Sequence, residues 1–121
     1  MIKVKRIYDA SIASDGQRIL VDRLWPRGIS KDAARIDEWM KEIAPSTKLR
    51  TWYGHHVEKW PEFVRRYRHE LASEDQADRL TRLADLGRRG PLTLLFAARD
   101  EAHNSAMVLL DVLQKHRGLR N

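Results

Sequence analysis

The order of apolar and polar positions predicts a chain that alternates between strands and helices. Residues 2–5 alternate apolar and basic side chains, and residues 18–21 form a mostly apolar run before a loop that Pro26 and Gly28 interrupt. Residues 92–98 are apolar almost without a break. The alternating pattern is typical of a strand with one wet face near a sheet edge that lysines protect. The continuous run is typical of a central strand that helices cover on both faces.

Apolar residues at helical spacing predict four further segments as helices. These are residues 47–53, residues 60–71, a segment that follows Ser73 and continues until Gly87 and Gly90 stop it, and residues 106–113. Ser46 is well placed to cap the first helix, and a capping box begins at Ser73 before the third. A short helical turn is expected after Ser30. The last helix is expected to end at residues 116–118, because cations and a glycine favour a helix C-terminus.

Residues 36–44 fit two periods. Ile36, Met40 and Ile43 have helical spacing, whereas Trp39 and Ile43 alternate as in a strand. We favour a strand, because a proline directly follows the segment. The whole pattern predicts an α/β fold, with a small, mostly parallel sheet of about 3–4 strands and helices packed on its faces. With 121 residues, the chain is expected to form a single domain over its full length.

Composition narrows the function classes. The chain has no cysteine, which excludes disulfides, thiolate nucleophiles, cysteine-based zinc sites and iron–sulfur clusters. Its apolar runs are far shorter than the roughly 20 residues that cross a bilayer, and no leader opens the sequence. We therefore expect a cytoplasmic protein with no membrane partner. The excess of 23 Lys and Arg over 17 Asp and Glu favours anionic partners, such as nucleic acid or phosphorylated ligands.

A first polar cluster, formed by Asp22, Arg23, Trp25 and Arg27, follows the run of residues 18–21. The two guanidinium groups suit a carboxylate or a phosphate, and the indole offers a face for stacking. The Asp22 carboxylate can orient an arginine or serve as a catalytic base. The alternative interpretation is structural: an Asp–Arg pair pins the loop, and Trp25 belongs to the core.

A second polar cluster follows residues 92–98 and leads into the last helix, whose free N–H groups favour an anion. Arg99 is a candidate for holding that anion, His103 for a catalytic acid or base, and Asn104 for orienting a ligand carbonyl or amide. The alternative is that Asp100 caps the helix and the other side chains are simply exposed. Because the carboxyl ends of parallel strands meet at one sheet edge, we expect the two clusters to share a pocket.

Motifs of several large enzyme classes are absent from the sequence. It contains no phosphate-loop glycine pattern, no dinucleotide GxGxxG, no GxSxG and no His-Glu-x-x-His. His55 and His56 are adjacent, so their side chains point apart, and no carboxylate stands at a recognised metal-ligand spacing. We therefore expect no metal and no cofactor. His55 can still border a pocket if the loop after the short helix folds over the strand ends.

Four stretches resemble a known family: ILVDRLWPRG at residues 19–28, DEW at 37–39, APST at 44–47 and LTLLFAA at 92–98. Through them the chain resembles the YeaO-like family, a bacterial domain-of-unknown-function family, over nearly its whole length. The resemblance implies a compact α/β domain and no particular substrate, cofactor or partner.

The family motif falls on positions of both polar clusters. These positions are Asp22, Arg23, Trp25, Pro26, Arg27, Gly28 and Asn104. The chain departs from the pattern at His56, where the resemblance implies an acidic or small residue, and at Phe96, where it implies a tyrosine. Position 103 varies in the family, so the resemblance makes the arginines firmer candidates than His103.

Two main function hypotheses follow, and both leave open whether the protein is an enzyme. In the first, Arg23, Arg27 and Arg99 hold a small phosphorylated or nucleotide-like anion while Trp25 stacks on it. In the second, the protein is a nucleic-acid-binding accessory protein whose basic surface, including residues 65–68, contacts phosphates. A third interpretation is a protein-interaction module with tryptophan anchors. Those anchors are Trp39, Trp52 and Trp60.

Overall fold

Four parallel strands form one sheet in the computed structural model, which describes residues 1–116. The strands are β1 (Ile2–Arg6), β2 (Gln17–Leu20), β3 (Glu38–Trp39) and β4 (Leu92–Phe96). Their order across the sheet is β1-β4-β2-β3, and every pairing is parallel. The predicted α/β fold with a small parallel sheet is confirmed.

β4 is the central strand that its apolar sequence predicts. All five of its residues are buried, and it pairs with β1 on one side and with β2 on the other. Its Leu94 lies opposite Val4 in β1 and Ile19 in β2. β1 is an edge strand that carries Lys3 and Lys5, in agreement with the predicted lysine-protected edge.

Five α-helices in residues 1–116 accompany the sheet. They are α1 (Lys31–Ala34), α2 (Thr47–Tyr53), α3 (Trp60–Leu71), α4 (Glu74–Arg89) and α5 (Ser105–Gln114). Helix α2 has its predicted bounds and begins after Ser46, whose hydroxyl accepts a hydrogen bond from the Leu49 amide at 3.1 Å. No helix in this part of the chain is long and apolar enough to cross a bilayer. The helix-ending glycine expected at Gly118 lies outside the described residues.

The sheet separates two apolar clusters. The larger one is built from α2, α3, α4 and α5 together with strand residues such as Ile19 and Leu94. The smaller one contains Leu95 and is flanked by the half-buried Trp25 and Trp39. Because successive residues of a strand point to opposite faces, Leu94 and Leu95 of β4 fall in different clusters. Helices therefore cover one face, and α1 with the loops around it covers the other.

The strand in residues 36–44 is shorter than predicted. Its two residues in β3 pair with β2, and the pairing ends where the Met40 amide donates to the Leu20 carbonyl at 2.9 Å. Since β2 itself ends at Leu20, the chain finds no further partner and turns into the 3-10 segment Lys41–Ile43. Ile36, Met40 and Ile43 therefore do not share a helix: Ile36 is half-buried before β3, and Met40 and Ile43 are buried after it.

The capping box predicted at Ser73 is wrong. The Ser73 hydroxyl makes no capping hydrogen bond, and the Gln76 side chain donates to the Glu42 carbonyl at 2.8 Å instead. Helix α4 still begins at the next residue, because Glu74 and Asp75 place acidic groups at the positive end of the helix. The side chain expected to cap α4 instead ties it to the segment after β3.

Candidate functional site

A cleft of about 1250 Å³ opens where β1, β2 and β4 end. Its walls are residues 22–27 after β2, residues 97–105 around the start of α5, and the end of α2 with the loop that follows it. Every predicted site residue contributes to the lining. These residues are Asp22, Arg23, Trp25, Arg27, Arg99, His103 and Asn104. The two polar clusters, 75 or so positions apart in sequence, thus face one space, as parallel strands require.

Five arginines line this cleft against two aspartates, Asp22 and Asp100. The arginines are Arg6, Arg23, Arg27, Arg50 and Arg99. In the part of the chain that the structure describes, neither aspartate forms an ion pair with any of them. The cleft therefore presents an excess of positive charge, and most of its guanidinium donors remain available to an anion.

Arg6 and Arg23 organise the loops that surround the cleft. The Arg6 guanidinium donates to the carbonyls of residues 97–98 at 3.0 and 3.2 Å, which fixes the chain after β4. The Arg23 guanidinium donates to the carbonyls of residues 44–45 at the same distances, which fixes the chain before α2. Sequence reasoning identified Arg23 as a ligand-binding candidate and missed Arg6, because Arg6 stands in a strand that only the sheet order places beside β4.

Asp22 is enclosed at the floor of the cleft. One of its carboxylate oxygens accepts a hydrogen bond from the Ala97 amide at 2.9 Å. Burial raises the pKa of Asp22 to about 6, although this hydrogen bond acts in the opposite direction. The predicted pairing of Asp22 with an arginine is not found among residues 1–116. The Asp22 carboxyl group instead joins the ends of β2 and β4 through the Ala97 amide, and its burial keeps its pKa above the usual range.

Trp25 packs into the protein. Its indole N–H donates to the Ile29 carbonyl at 2.9 Å, and its ring meets the edge of Trp39 with 5.4 Å between centroids. It flanks the smaller apolar cluster, which is the structural alternative drawn from the sequence. Its neighbour Leu24 is the exposed apolar side chain of this segment, with 58% of its surface accessible in the cleft wall.

Asn104, and not Asp100, is the cap of α5. The Asn104 side chain accepts a hydrogen bond from the Met107 amide at 3.1 Å and donates to the Asp100 carbonyl at 3.0 Å. Both of its polar groups are engaged, so its predicted contact with a ligand stays a prediction. Asp100 instead closes the preceding turn by accepting from the Ala102 and His103 amides at 2.9 and 3.0 Å.

The His103 ring faces the cleft from this same turn. Its Nδ1 lies 2.9 Å from an Asp100 carboxylate oxygen, and its ring meets the edge of Trp60 at 5.3 Å. Hydrogen bonds from the His103 amide and ring lower the pKa of Asp100, and the Ala102 amide adds to the effect. Asp100 therefore stays ionised and fixes the orientation of His103, whose role as an acid or base stays a prediction.

Tyr53 and Arg50 enter the cleft from α2, and sequence reasoning missed both. The Tyr53 side chain is buried, and its hydroxyl has no hydrogen-bond partner among the described residues. Arg50 lies three residues earlier, so it shares a helix face with Tyr53. The only available signal was this spacing within the predicted helix, together with the expectation that His55 would border a pocket. His55 does line the cleft.

Surfaces that favoured other functions are largely neutralised or covered. Arg65 and Arg66 both pair with Glu62, at 2.5 and 2.7 Å, and Arg68 pairs with Asp111. The three tryptophans considered as anchors are half-buried, and Lys59 and Arg66 lie over the ring of one of them, Trp52. Within residues 1–116, no group of three or more potential metal ligands comes together.

Comparison with known proteins places the chain in a family. A family model described as "Inactive DUF488-N3 subclade" matches residues 1–120. The chain belongs to the DUF488-N3i family. No solved structure shows a significant match to this DUF488-N3i chain.

Curated relatives cover nearly the whole DUF488-N3i chain. The chain is 49% identical to the protein YeaO of Escherichia coli K12 over 113 residues. The aligned region covers 93% of this chain and 96% of YeaO. It is 44% identical over 112 residues to Mb3100c of Mycobacterium bovis and to Rv3073c of Mycobacterium tuberculosis H37Rv, covering 93% of this chain and 92% of each relative. The resemblance to the YeaO-like family is confirmed.

Proposed function

We propose that this protein is located in the cytoplasm and that it binds a phosphorylated or nucleotide-like anionic ligand in the cleft at the strand ends. One observation carries the proposal. Among residues 1–116, five arginines have side chains without a hydrogen bond or ion pair, and three of the five line the cleft. The five are Arg27, Arg35, Arg50, Arg89 and Arg99. An anion that enters the cleft meets guanidinium donors that no protein group already occupies.

The size and lining of the cleft suit a ligand larger than a simple ion. Its volume of about 1250 Å³ exceeds the roughly 300–1000 Å³ typical of small-molecule sites, so a nucleotide-sized molecule fits. The exposed Leu24 side chain and the Phe63 ring add apolar surface to the lining. Such a surface supports the organic part of a ligand while the arginines hold its charge.

Binding is better supported than catalysis. The description of the family calls the subclade inactive. In the cleft, the hydrogen bond between Asp22 and the Ala97 amide and the pairing of His103 with Asp100 give both candidate catalytic groups structural partners. The nucleic-acid alternative has less support, because Arg65, Arg66 and Arg68 are paired with carboxylates.

The test is a thermal-shift panel of nucleotides, sugar phosphates, small carboxylates and short DNA and RNA at two salt concentrations. The variants are Arg27→Ala and Arg99→Ala in the cleft, with Arg89→Ala as the matched control, since Arg89 is also unpaired but lies outside the lining. A ligand at a hundredfold over its dissociation constant stabilises the wild type by about 2.7 kcal/mol. We expect a phosphorylated compound to stabilise the wild type and Arg89→Ala at both salt concentrations. The same compound should not stabilise Arg27→Ala or Arg99→Ala.

Two results would contradict the proposal. A shift with nucleic acid alone that disappears at high salt would show a surface that binds phosphates by counterion release. The same loss in Arg89→Ala as in the cleft variants would show a general charge effect rather than a site.

A further inference from the structure

We infer that the phosphoryl group of the ligand binds at one end of the cleft, between the Tyr53 hydroxyl, the Arg50 guanidinium and the first turn of α5. This inference rests on the proposed function and adds to it the part of the cleft that recognises phosphate. The three elements approach from α2 and from the segment after β4, which the chain brings together only in the folded state.

The first observation concerns the Tyr53 hydroxyl, which is buried and has no partner among the described residues. It is the one buried side-chain polar atom in residues 1–116 without a hydrogen-bond partner, and it belongs to a residue that lines the cleft and is only 7% exposed. A buried hydroxyl without a partner destabilises the folded state, and phenylalanine would fill the same space without that cost. A ligand oxygen that accepts the O–H hydrogen bond removes the cost.

Within residues 1–116, the start of α5 has free backbone donors, which is an observation independent of Tyr53. Asn104 caps the helix by accepting from the Met107 amide, but the amides of Ser105 and Ala106 make no hydrogen bond within the described residues. Ser105 itself lines the cleft. Because α5 is a ten-residue helix, its first turn carries the partial positive charge that favours anions.

Ring contacts connect these two features in space. The Tyr53 ring packs 5.9 Å from the Trp60 ring, which in turn lies 5.3 Å from the His103 ring, one residue before the α5 cap. Arg50 lies one helical turn before Tyr53 on α2. Two negative groups act electrostatically on Tyr53: Glu58, and Asp100, whose carboxylate pairs with His103.

The geometry favours a phosphoryl group over a carboxylate. The cleft offers three kinds of donor at this place: a hydroxyl, a guanidinium and the backbone amides of a helix start. A phosphoryl group has three terminal oxygens in a tetrahedral arrangement and can accept from all three at once, whereas a carboxylate has two oxygens in one plane. Burial raises the pKa of Tyr53, and the charges of Asp100 and Glu58 raise it further, so the hydroxyl keeps its proton and acts as a donor.

The experiment titrates inorganic phosphate and acetate into the full chain by isothermal titration calorimetry. We expect the wild type to bind phosphate more tightly than acetate. Tyr53→Phe keeps the aromatic packing and removes only the hydroxyl, so we expect phosphate to bind about tenfold more weakly, as for the loss of a hydrogen bond to a charged group. Its unfolding temperature should equal or exceed that of the wild type, because no protein partner is lost.

Tyr67→Phe is the matched control. Tyr67 is a buried tyrosine outside the cleft lining whose hydroxyl donates to the Ile43 carbonyl at 2.7 Å. This variant should lower the unfolding temperature and leave phosphate affinity unchanged.

The results distinguish a failure of the phosphoryl subsite from a failure of the proposed function. Equal phosphate affinity in Tyr53→Phe and the wild type, with loss of binding in Arg27→Ala and Arg99→Ala, would overturn the phosphoryl subsite and leave the proposed function standing. Tighter binding of acetate than of phosphate would also overturn the subsite. A wild type that binds no member of the anion panel would overturn both.

Discussion

Burial sets the chemistry of Asp22, the carboxyl group that joins the ends of β2 and β4. Its pKa rises from 3.8 to about 6, which corresponds to about 3 kcal/mol between the two protonation states. The folded state therefore binds the proton more tightly than the unfolded state does. Above pH 6 the ionised group destabilises the fold, and this penalty is relieved as the pH falls from 6 toward 4.

Asp22→Asn is expected to stabilise the protein at pH 8 by about 2 kcal/mol, because the amide oxygen still accepts from the Ala97 amide and no buried charge remains. The difference from the wild type should shrink toward pH 4, where the wild-type carboxyl group is protonated. Urea denaturation of both proteins across this range measures the effect. A difference that is constant from pH 4 to pH 8 would show that Asp22 is not the titrating group.

The sequence identified the residues that follow the strands and missed the residues that reach the cleft from elsewhere. Arg23, Arg27 and Arg99 were accessible to prediction because the carboxyl ends of parallel strands share an edge. Tyr53 and Arg50 were not, since their position depends on how α2 docks against α3. That docking rests on a tertiary contact, in which the Ser46 amide and hydroxyl both donate to the Glu70 carboxylate, at 2.8 and 2.6 Å.

Among the elements, α5 connects the core to the cleft. Its buried side, including Leu109 and Leu113, belongs to the larger apolar cluster, and its first residue, Ser105, lines the cleft. The sequence predicted the start of this helix to within a residue, because its apolar run is long and unbroken, but the helix ends at Gln114, before the expected end at residues 116–118. It did not distinguish Asp100 from Asn104 as the cap, since both residue types accept hydrogen bonds from a helix start.

Two substitutions at Asn104 separate the stability of α5 from its effect on a ligand. Asn104→Ala removes the cap and should lower the free energy of unfolding by about 1–2 kcal/mol. Asn104→Asp keeps an acceptor for the Met107 amide but loses the donor to the Asp100 carbonyl, and its charge opposes an anion, so binding should weaken by about tenfold or more. Chemical denaturation measures the first effect, and titration with the best compound of the panel measures the second. Undiminished affinity in Asn104→Asp would place the ligand away from this helix.

At the scale of the whole molecule, a buried aspartate, Asp15, connects β1 and β2 on the side of the sheet away from the cleft. Asp15 is fully buried and pairs with Lys3, Lys5 and Arg18 at 3.0, 3.0 and 2.6 Å. Burial by itself would raise the pKa of Asp15, but the hydrogen bonds from these cations and from the Ile12 amide outweigh it and hold the pKa below its usual range. The cluster joins β1, β2 and the turn between them.

Asp15→Asn is expected to destabilise the protein by about 3 kcal/mol at pH 7, because it leaves the buried Arg18 and the partly buried Lys3 and Lys5 without their counter-ion. A folded-state pKa below 3.8 means that the ionised group stabilises the fold above that pH and loses the effect as the pH falls through the lower value. The melting temperatures of wild type and variant should therefore differ by about 10 °C at pH 7 and converge below pH 3.8. Convergence already at pH 5 would point to another carboxylate.

The strand order carries a consequence for how the chain is made. β4 is the last strand along the chain, yet it lies between β1 and β2. During synthesis, β1 and β2 leave the ribosome before residues 92–96, which form the strand that pairs with both of them. A nascent chain that lacks these residues leaves the facing edges of β1 and β2 unpaired, so the protein cannot complete its sheet, or close its cleft, until residues 92–96 have been synthesised.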